Sequence, residues 1–328
     1  MSDPLAPSTL SATAADLPGL PPGEEAIIAL RGVSKWYGDV VAVSDLTFGI
    51  GAGVTALLGP NGAGKSTILN MVSGLIAPST GTVQLLDRAV RGDTRIFRDI
   101  GLAGEQEQLY NSLTGREFVR LNAILQKTPQ PETATSRTIA IVDMEGAADR
   151  PLGGYSKGMR QRIKVAAALV HDPRVLLLDE PLNGTDPVQR ASLIALIRRL
   201  GDEGKTLVVS SHVLSEVERF ARNVLVIVNG KLAAAGDFRG IRERMDERDH
   251  MVRIRCDNPR RLAAALVAEP VTTSIRLAGE GKLTAETNNV REFSLLVPIV
   301  AKREAIRLFE VQPVDESLAS VFSYLVGK

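Results

Sequence analysis

Residues 53–70 read "GVTALLGPNGAGKSTILN". An apolar run stops at a glycine, a glycine-rich loop follows, and a helical pattern opens behind it. The run "GVTALLG" reads as a buried strand, and Ile68, Leu69, Val72 and Leu75 fall at helical spacing. Between them "GPNGAGKS", 59–66, satisfies the pattern G-x-x-x-x-G-K-[ST] in the strand–loop–helix setting that gives the pattern its meaning. Gly59, Gly62 and Gly64 let backbone N–H groups turn inward around phosphate oxygens without a Cβ in the way. The following helix points its positive end at the same place. Lys65 adds a point charge for β- and γ-phosphates, and the Ser66 hydroxyl is a hard oxygen ligand suited to Mg²⁺.

Working outward, "RVLLLDE", 174–180, is a second buried strand that ends in two acids. A lone carboxylate at the end of such a strand is costly to bury. A Mg²⁺ ion or its water shell would satisfy Asp179, and Glu180 stands one residue on, where it could orient and polarise a water for attack on a γ-phosphate. "TLVVSSH", 206–212, is a third buried strand, and "SLIALIRRL", 192–200, is a helix. Near the start "AIIAL" and "LTFGI" read as strands; residues 112–170 are mostly helical, with a break at "TPQPETATS", 128–136. Strands alternating with helices predict an α/β fold with a mainly parallel sheet.

Ahead of this unit, residues 1–25 are rich in proline, serine and alanine and read as a disordered leader. They hold no Lys or Arg and no apolar core, so they do not read as a secretory signal. Behind it, the charge-dense "DFRGIRERMDERDH", 237–250, reads as a linker, and residues 251–328 change style. "MVRIRC" alternates as a half-buried strand does, and "PRRLAAALVAE" is helical. "SIRLAGEGKLTAET" is a hairpin turning at 279–281. "VREFSLLVPIV" is a helix with Pro298 near its end, and "AIRLFEV" is a strand. Leu318, Val321, Phe322 and Leu325 make an amphipathic last helix. The order βαββαβ predicts a small ferredoxin-like α+β module.

Composition narrows the function classes. The 328 residues are 44% hydrophobic and 23% charged, which suits a globular protein of two domains. A net charge of +1 gives no global attraction to nucleic acid, and none is expected as a partner. One cysteine, Cys256, excludes an intrachain disulfide. No apolar run reaches the roughly 18 residues that a membrane span needs.

The motifs stand in an order that resembles the nucleotide-binding subunit of an ATP-binding-cassette (ABC) transporter over residues 26–236. The resemblance rests on the phosphate loop at 59–67, "YSKGM" at 155–159, "LLLDEP" at 176–181, "NGTDP" at 183–187 and "SSH" at 210–212. The wording "YSKGMRQR" and the tail "ESLASVFSYLVGK" look most like the ABC-2 export type. The resemblance implies a cassette with a parallel sheet, an antiparallel β subdomain and a helical subdomain. It implies ATP and Mg²⁺ held by Gly59, Pro60, Asn61, Gly62, Ala63, Gly64, Lys65, Ser66 and Thr67, with Ser66 and Asp179 on the metal. Tyr37 falls where an aromatic ring stacks on adenine, His212 where a switch histidine meets the γ-phosphate, and Asp186 on a loop that crosses to a partner. Ser156 and Gly158 match a signature that caps the ATP of a second cassette. A serine N-cap and a helix dipole fit that anion-binding role.

Three departures are visible. Tyr155, Lys157 and Met159 replace three of five signature residues. Glu105 stands where the family has a glutamine on Mg²⁺ and the attacking water, with Gln106 as its alternative by a one-residue shift. Thr185 replaces a leucine before the loop aspartate. The implied protein is a Mg²⁺-dependent ATPase that pairs with a second ATPase subunit, identical or related. It would power a separate membrane permease from the cytoplasmic face of the cell membrane. The alternative is a non-transport ATPase that regulates through its C-terminal module. Chromosome-maintenance ATPases are excluded by the short stretch between Lys65 and Asp179, and translation-factor ATPases by the presence of one cassette rather than two.

Overall fold

The structure is a computed structural model that describes residues 17–20, 25–105, 109–237, 250–278 and 281–313. The chain divides near residue 238 into two compact units. The first unit opens with β1 (Ile28–Tyr37), β2 (Val40–Ile50), β3 (Gly53–Leu58), α1 (Lys65–Val72), β4 (Thr80–Leu85), β5 (Arg88–Ala89) and β6 (Ile100–Ala103). Three helices follow: α2 (Gly115–Leu125), α3 (Pro131–Ile141) and α4 (Lys157–Leu169). The unit closes with β7 (Val175–Leu178), α5 (Pro187–Asp202), β8 (Thr206–Ser211), α6 (Leu214–Phe220), β9 (Asn223–Val228) and β10 (Lys231–Asp237).

The larger sheet has the order β10-β9-β3-β8-β7-β6. All its pairings are parallel except β10 with β9. Strand β3 sits between β8 and β9, so Val54 to Leu58 are all buried, which is why they read as an unbroken apolar run rather than an alternation. A second sheet, β2-β1-β4-β5, is antiparallel. Phe48 and Leu30 from this sheet, Ile68 and Leu69 from α1, and Leu177 and Val208 from the larger sheet share one core.

Register places the site. Leu58 pairs with Ser211, Leu178 with Val209, and Ala103 with Leu178. Gly59, Gly104, Asp179 and His212 therefore follow the carboxyl ends of four strands along one edge, where open parallel sheets bind ligands.

Several sequence expectations change. Helix α3 starts inside the expected break, because Pro131 at its first turn needs no N–H partner and Glu132 favours a helix N-terminus. Strands β4, β6, β9 and β10 were not expected. In the stretch read as a disordered leader, Leu17 to Leu20 are packed: Leu17 is buried and the Pro18 carbonyl accepts from Gly49 N at 2.9 Å. Gly19, at φ 93°, makes the turn that brings both leucines against β2.

The second unit contains β11 (His250–Cys256), α7 (Pro259–Val267), β12 (Thr272–Leu277), β13 (Lys282–Thr287), α8 (Val290–Arg303) and β14 (Leu308–Pro313). Its antiparallel sheet has the order β12-β13-β11-β14, the split βαβ arrangement of a ferredoxin-like unit. Val252, Ile254, Leu262, Phe293 and Val297 form its core. Helix α8 continues past Pro298 to Arg303, further than its sequence suggests. The hairpin turn at 279–280 and the expected last helix lie outside the described residues, as do residues 238–249 of the expected linker.

Candidate active site

The phosphate loop leaves β3 at Leu58 and enters α1 at Lys65. Its glycines have separate reasons. A Cβ on Gly59 would stand 2.4 Å from the Ile227 carbonyl oxygen. Gly64 holds φ 101°, and a Cβ there would meet Val43 Cγ1 at 2.6 Å and the Ala42 oxygen at 2.7 Å. Gly62, at φ 80°, faces open space. Pro60 and Asn61 are exposed, Ala63 is buried, and Ser66 and Thr67 are half-buried. Helix α1 carries no side-chain cap and no acid in its first turn, so its positive end is not neutralised from within.

Lys65 is buried at 6% exposure. Its ammonium donates to the carbonyls of Gly59 at 2.7 Å and Pro60 at 3.2 Å, and it pairs with Glu180 Oε1 at 3.2 Å. Glu180 is equally buried, and it meets His212 Nδ1 through Oε2 at 3.0 Å. An unpaired carboxylate so deeply placed would cost several kcal/mol; Lys65 and His212 supply the compensation. The Glu180 backbone sits at φ 46°, a left-handed conformation that a non-glycine residue holds only when its surroundings enforce it.

Asp179, also buried, accepts from the Ser210 hydroxyl at 2.6 Å, and the same hydroxyl accepts from Glu180 N at 2.7 Å. Ser210 therefore organises both acids. Sequence reading saw "SSH" only as a motif; β8 also carries Thr206 and Ser211, so the strand pattern alone does not single out Ser210.

Ser66, Glu105 and Asp179 line one cleft of about 670 Å³. Three hard oxygen donors facing a common space suit Mg²⁺. Glu105 follows β6 and is exposed; Gln106, its alternative, lies outside the described residues. Lys164, on α4, also lines the cleft and was missed by sequence reading. The cleft continues to Leu75, Phe97, Tyr110 and Leu125, four large apolar side chains that remain exposed.

The remaining expected residues lie apart from this cluster. Tyr37 ends β1, is half exposed, and has Lys35 Nζ 5.0 Å from its ring centre. Ser156 is exposed and caps α4, accepting from Met159 N at 3.3 Å. Gly158 is buried against Gln189, whose amide oxygen would overlap any Cβ there. Tyr155 is buried beside them, and its hydroxyl donates to the Ala147 carbonyl at 2.6 Å. Burial pushes the Tyr155 phenol up from its ordinary value. Asp186 caps α5, accepting from Val188 N at 3.0 Å and Gln189 N at 2.9 Å.

A phosphate loop at one strand end and an acid pair at another end of the same parallel sheet, beside an antiparallel β layer, define a P-loop ATPase cassette. Comparison with known proteins narrows the class. The ABC transporter family profile matches residues 43–183. The Nod factor export ATP-binding protein I of Rhizobium leguminosarum bv. viciae is 37% identical over 213 residues, covering 64% of this chain and 68% of the relative. Its counterpart in Sinorhizobium fredii is 33% identical over 307 residues, covering 92% and 86%. A dimeric bacterial ABC transporter cassette, MJ0796, aligns with TM-score 0.61 and 26% identity over 65% of this chain and 99% of that one. The same cassette as a post-hydrolysis dimer bound to ADP and Pi aligns with TM-score 0.60 and 25% identity, at the same coverage. The chain belongs to the ATP-binding subunits of ABC transporters, and it is an ATPase.

Proposed function

We propose that this ATPase hydrolyses Mg²⁺-bound ATP as one half of a cassette dimer and powers export through a separate permease. The supporting observation is the continuity of one cleft, from Ser66 and Asp179 at the phosphate edge to the exposed Leu75, Phe97, Tyr110 and Leu125. An apolar rim joined to a nucleotide site is where a membrane partner would sense the nucleotide. Export is favoured because two rhizobial relatives carry that word in their names. Among the described residues no helix is long and apolar enough to cross a membrane. As in the family it belongs to, the chain would sit on the inner face of the cell membrane through its permease.

In this mechanism the loop N–H groups and Lys65 bind the β- and γ-phosphates, and Tyr37 stacks on adenine. Ser66, Asp179 and Glu105 would hold Mg²⁺, which screens phosphate charge when bound. Glu180 accepts a proton from the attacking water as its oxygen adds to the γ-phosphorus. The β–γ bridging bond breaks, and ADP leaves with that electron pair. His212 donates Nδ1–H to Glu180, which would hold its ring beside the γ-phosphate. Ser156 and Gly158 would cap the ATP of the partner cassette, with Asp186 on the crossing loop. The test is purification of the tagged chain from detergent-solubilised membranes. Recovery of a polytopic membrane protein that stimulates ATP turnover is expected. A chain found only in the non-membrane fraction, with no such partner, contradicts the transport reading.

A further inference from the structure

Helix α4 and strand β6 are tied at three successive levels. His171, just past the helix, donates from Nε2 to the Ile100 carbonyl at 2.9 Å. Gly101 lies so near the helix that a Cβ would stand 2.1 Å from the Ala168 oxygen. Lys164 Nζ donates to the carbonyls of Gly104 at 2.7 Å and Glu105 at 3.3 Å. The first two ties are a side-chain bond to a backbone carbonyl and a close approach. The third is a buried ammonium, at 7% exposure, one helical turn from the small, buried Ala167 and Ala168. A packing role alone would be met by an apolar side chain, without the cost of removing a charge from water.

The other end of α4 is capped by Ser156, eight residues from Lys164 and so about 12 Å along the axis. The loop that Lys164 grips follows Ala103, whose carbonyl accepts from Asp179 N at 2.9 Å. A continuous path therefore runs from Ser156 along α4, through the Lys164 ammonium, to Glu105 and Asp179.

We propose that Lys164 is a positioning residue that makes the Ser156 end of α4 and the Glu105 loop move as one unit. The inference rests on the roles given above to Glu105 and Ser156. A cassette that has placed Glu105 correctly would thereby present Ser156 correctly to its partner, so that nucleotide in one site favours closure over the other.

Two measurements test it on the full chain. In hydrogen exchange without nucleotide, Lys164→Met is expected to raise exchange about tenfold in peptides covering both 100–105 and 152–160, with Lys164→Arg close to wild type. A change confined to the loop, or no change, overturns the coupling. In a Glu180→Gln background, Lys164→Met should weaken ATP-driven dimerisation about tenfold while leaving the affinity of the monomer for a fluorescent ATP analogue within twofold. Lys164→Arg should recover most of that loss. Equal losses of nucleotide affinity and dimerisation, or no rescue by arginine, overturn the proposal. If the Glu180→Gln parent itself fails to dimerise with ATP, the cassette-dimer reading falls and the exchange result alone decides Lys164.

Discussion

The Ser210 hydroxyl stands 2.6 Å from Asp179 Oδ1 and donates its proton there, while the same oxygen accepts the backbone N–H of Glu180 at 2.7 Å. One buried side chain thus fixes the direction of one acid and the backbone of the next.

Ser210→Ala removes both bonds and leaves the Glu180 N–H buried without a partner, a loss of about 1–3 kcal/mol. Thermal unfolding should shift down by several degrees. The expected kcat falls roughly tenfold or more, because Glu180 loses the support that holds its strained backbone. Ser210→Thr keeps the hydroxyl and should recover most of the rate. An alanine variant with unchanged kcat would remove Ser210 from the organisation of the site.

Glu180→Gln keeps the shape of the side chain and takes away the proton acceptor. Turnover is expected to drop by about 10²-fold or more, with ATP binding retained and a nucleotide-bound dimer accumulating on size exclusion. Turnover within a few-fold of wild type would take the general-base role from Glu180.

Lys65→Ala damages the phosphate loop and Ser156→Arg the capping end of α4. If Ser156 serves the partner's ATP, each pure homodimer carries a lesion in both sites. A mixed dimer gathers both lesions in one site and leaves the other intact. Mixing the two variants should restore ATP-dependent association. Mixed dimers that form by cross-linking yet show no rescue would place Ser156 in its own chain's site.

His171 links stability to acid. Its Nε2–H is held by the Ile100 carbonyl, while its Nδ1 is buried without a hydrogen-bond partner. Burial lowers its pKa from the ordinary value of 6.5. The unfolded chain therefore takes a proton near that value, whereas the folded chain resists until lower pH. Stability is full above about pH 6.5 and is lost as pH falls through the lowered folded value. Melting temperature measured from pH 7.5 to 5 should fall more steeply for wild type than for His171→Asn. Parallel curves would show that the ring makes no such contribution.

Legibility in the sequence followed locality. The strand, loop and helix over 53–72 were readable because each glycine, Lys65 and the apolar run lie within one short segment. The strand ending at Asp179 was readable for the same reason. Strand β6 is four residues, "IGLA", too short to show a period. Ser210 and Lys164 were not readable as site residues, since their partners are 31 and 60 residues away and meet them only through strand order and helix packing. The α3 start was hidden because proline marks both breaks and first turns.

The turn at Leu17 to Leu20 carries a practical consequence. Leu20 fills the space where a Cβ on Gly49 would lie, at 2.5 Å from its Cδ1, and Leu17 closes over the same glycine. A chain shortened to begin at Ala26, where regular strand structure is about to start, would strip both leucines away. The bare end of β2 would then offer uncovered apolar surface to other molecules, and the shortened protein should precipitate at concentrations where a chain beginning before Leu17 stays dispersed.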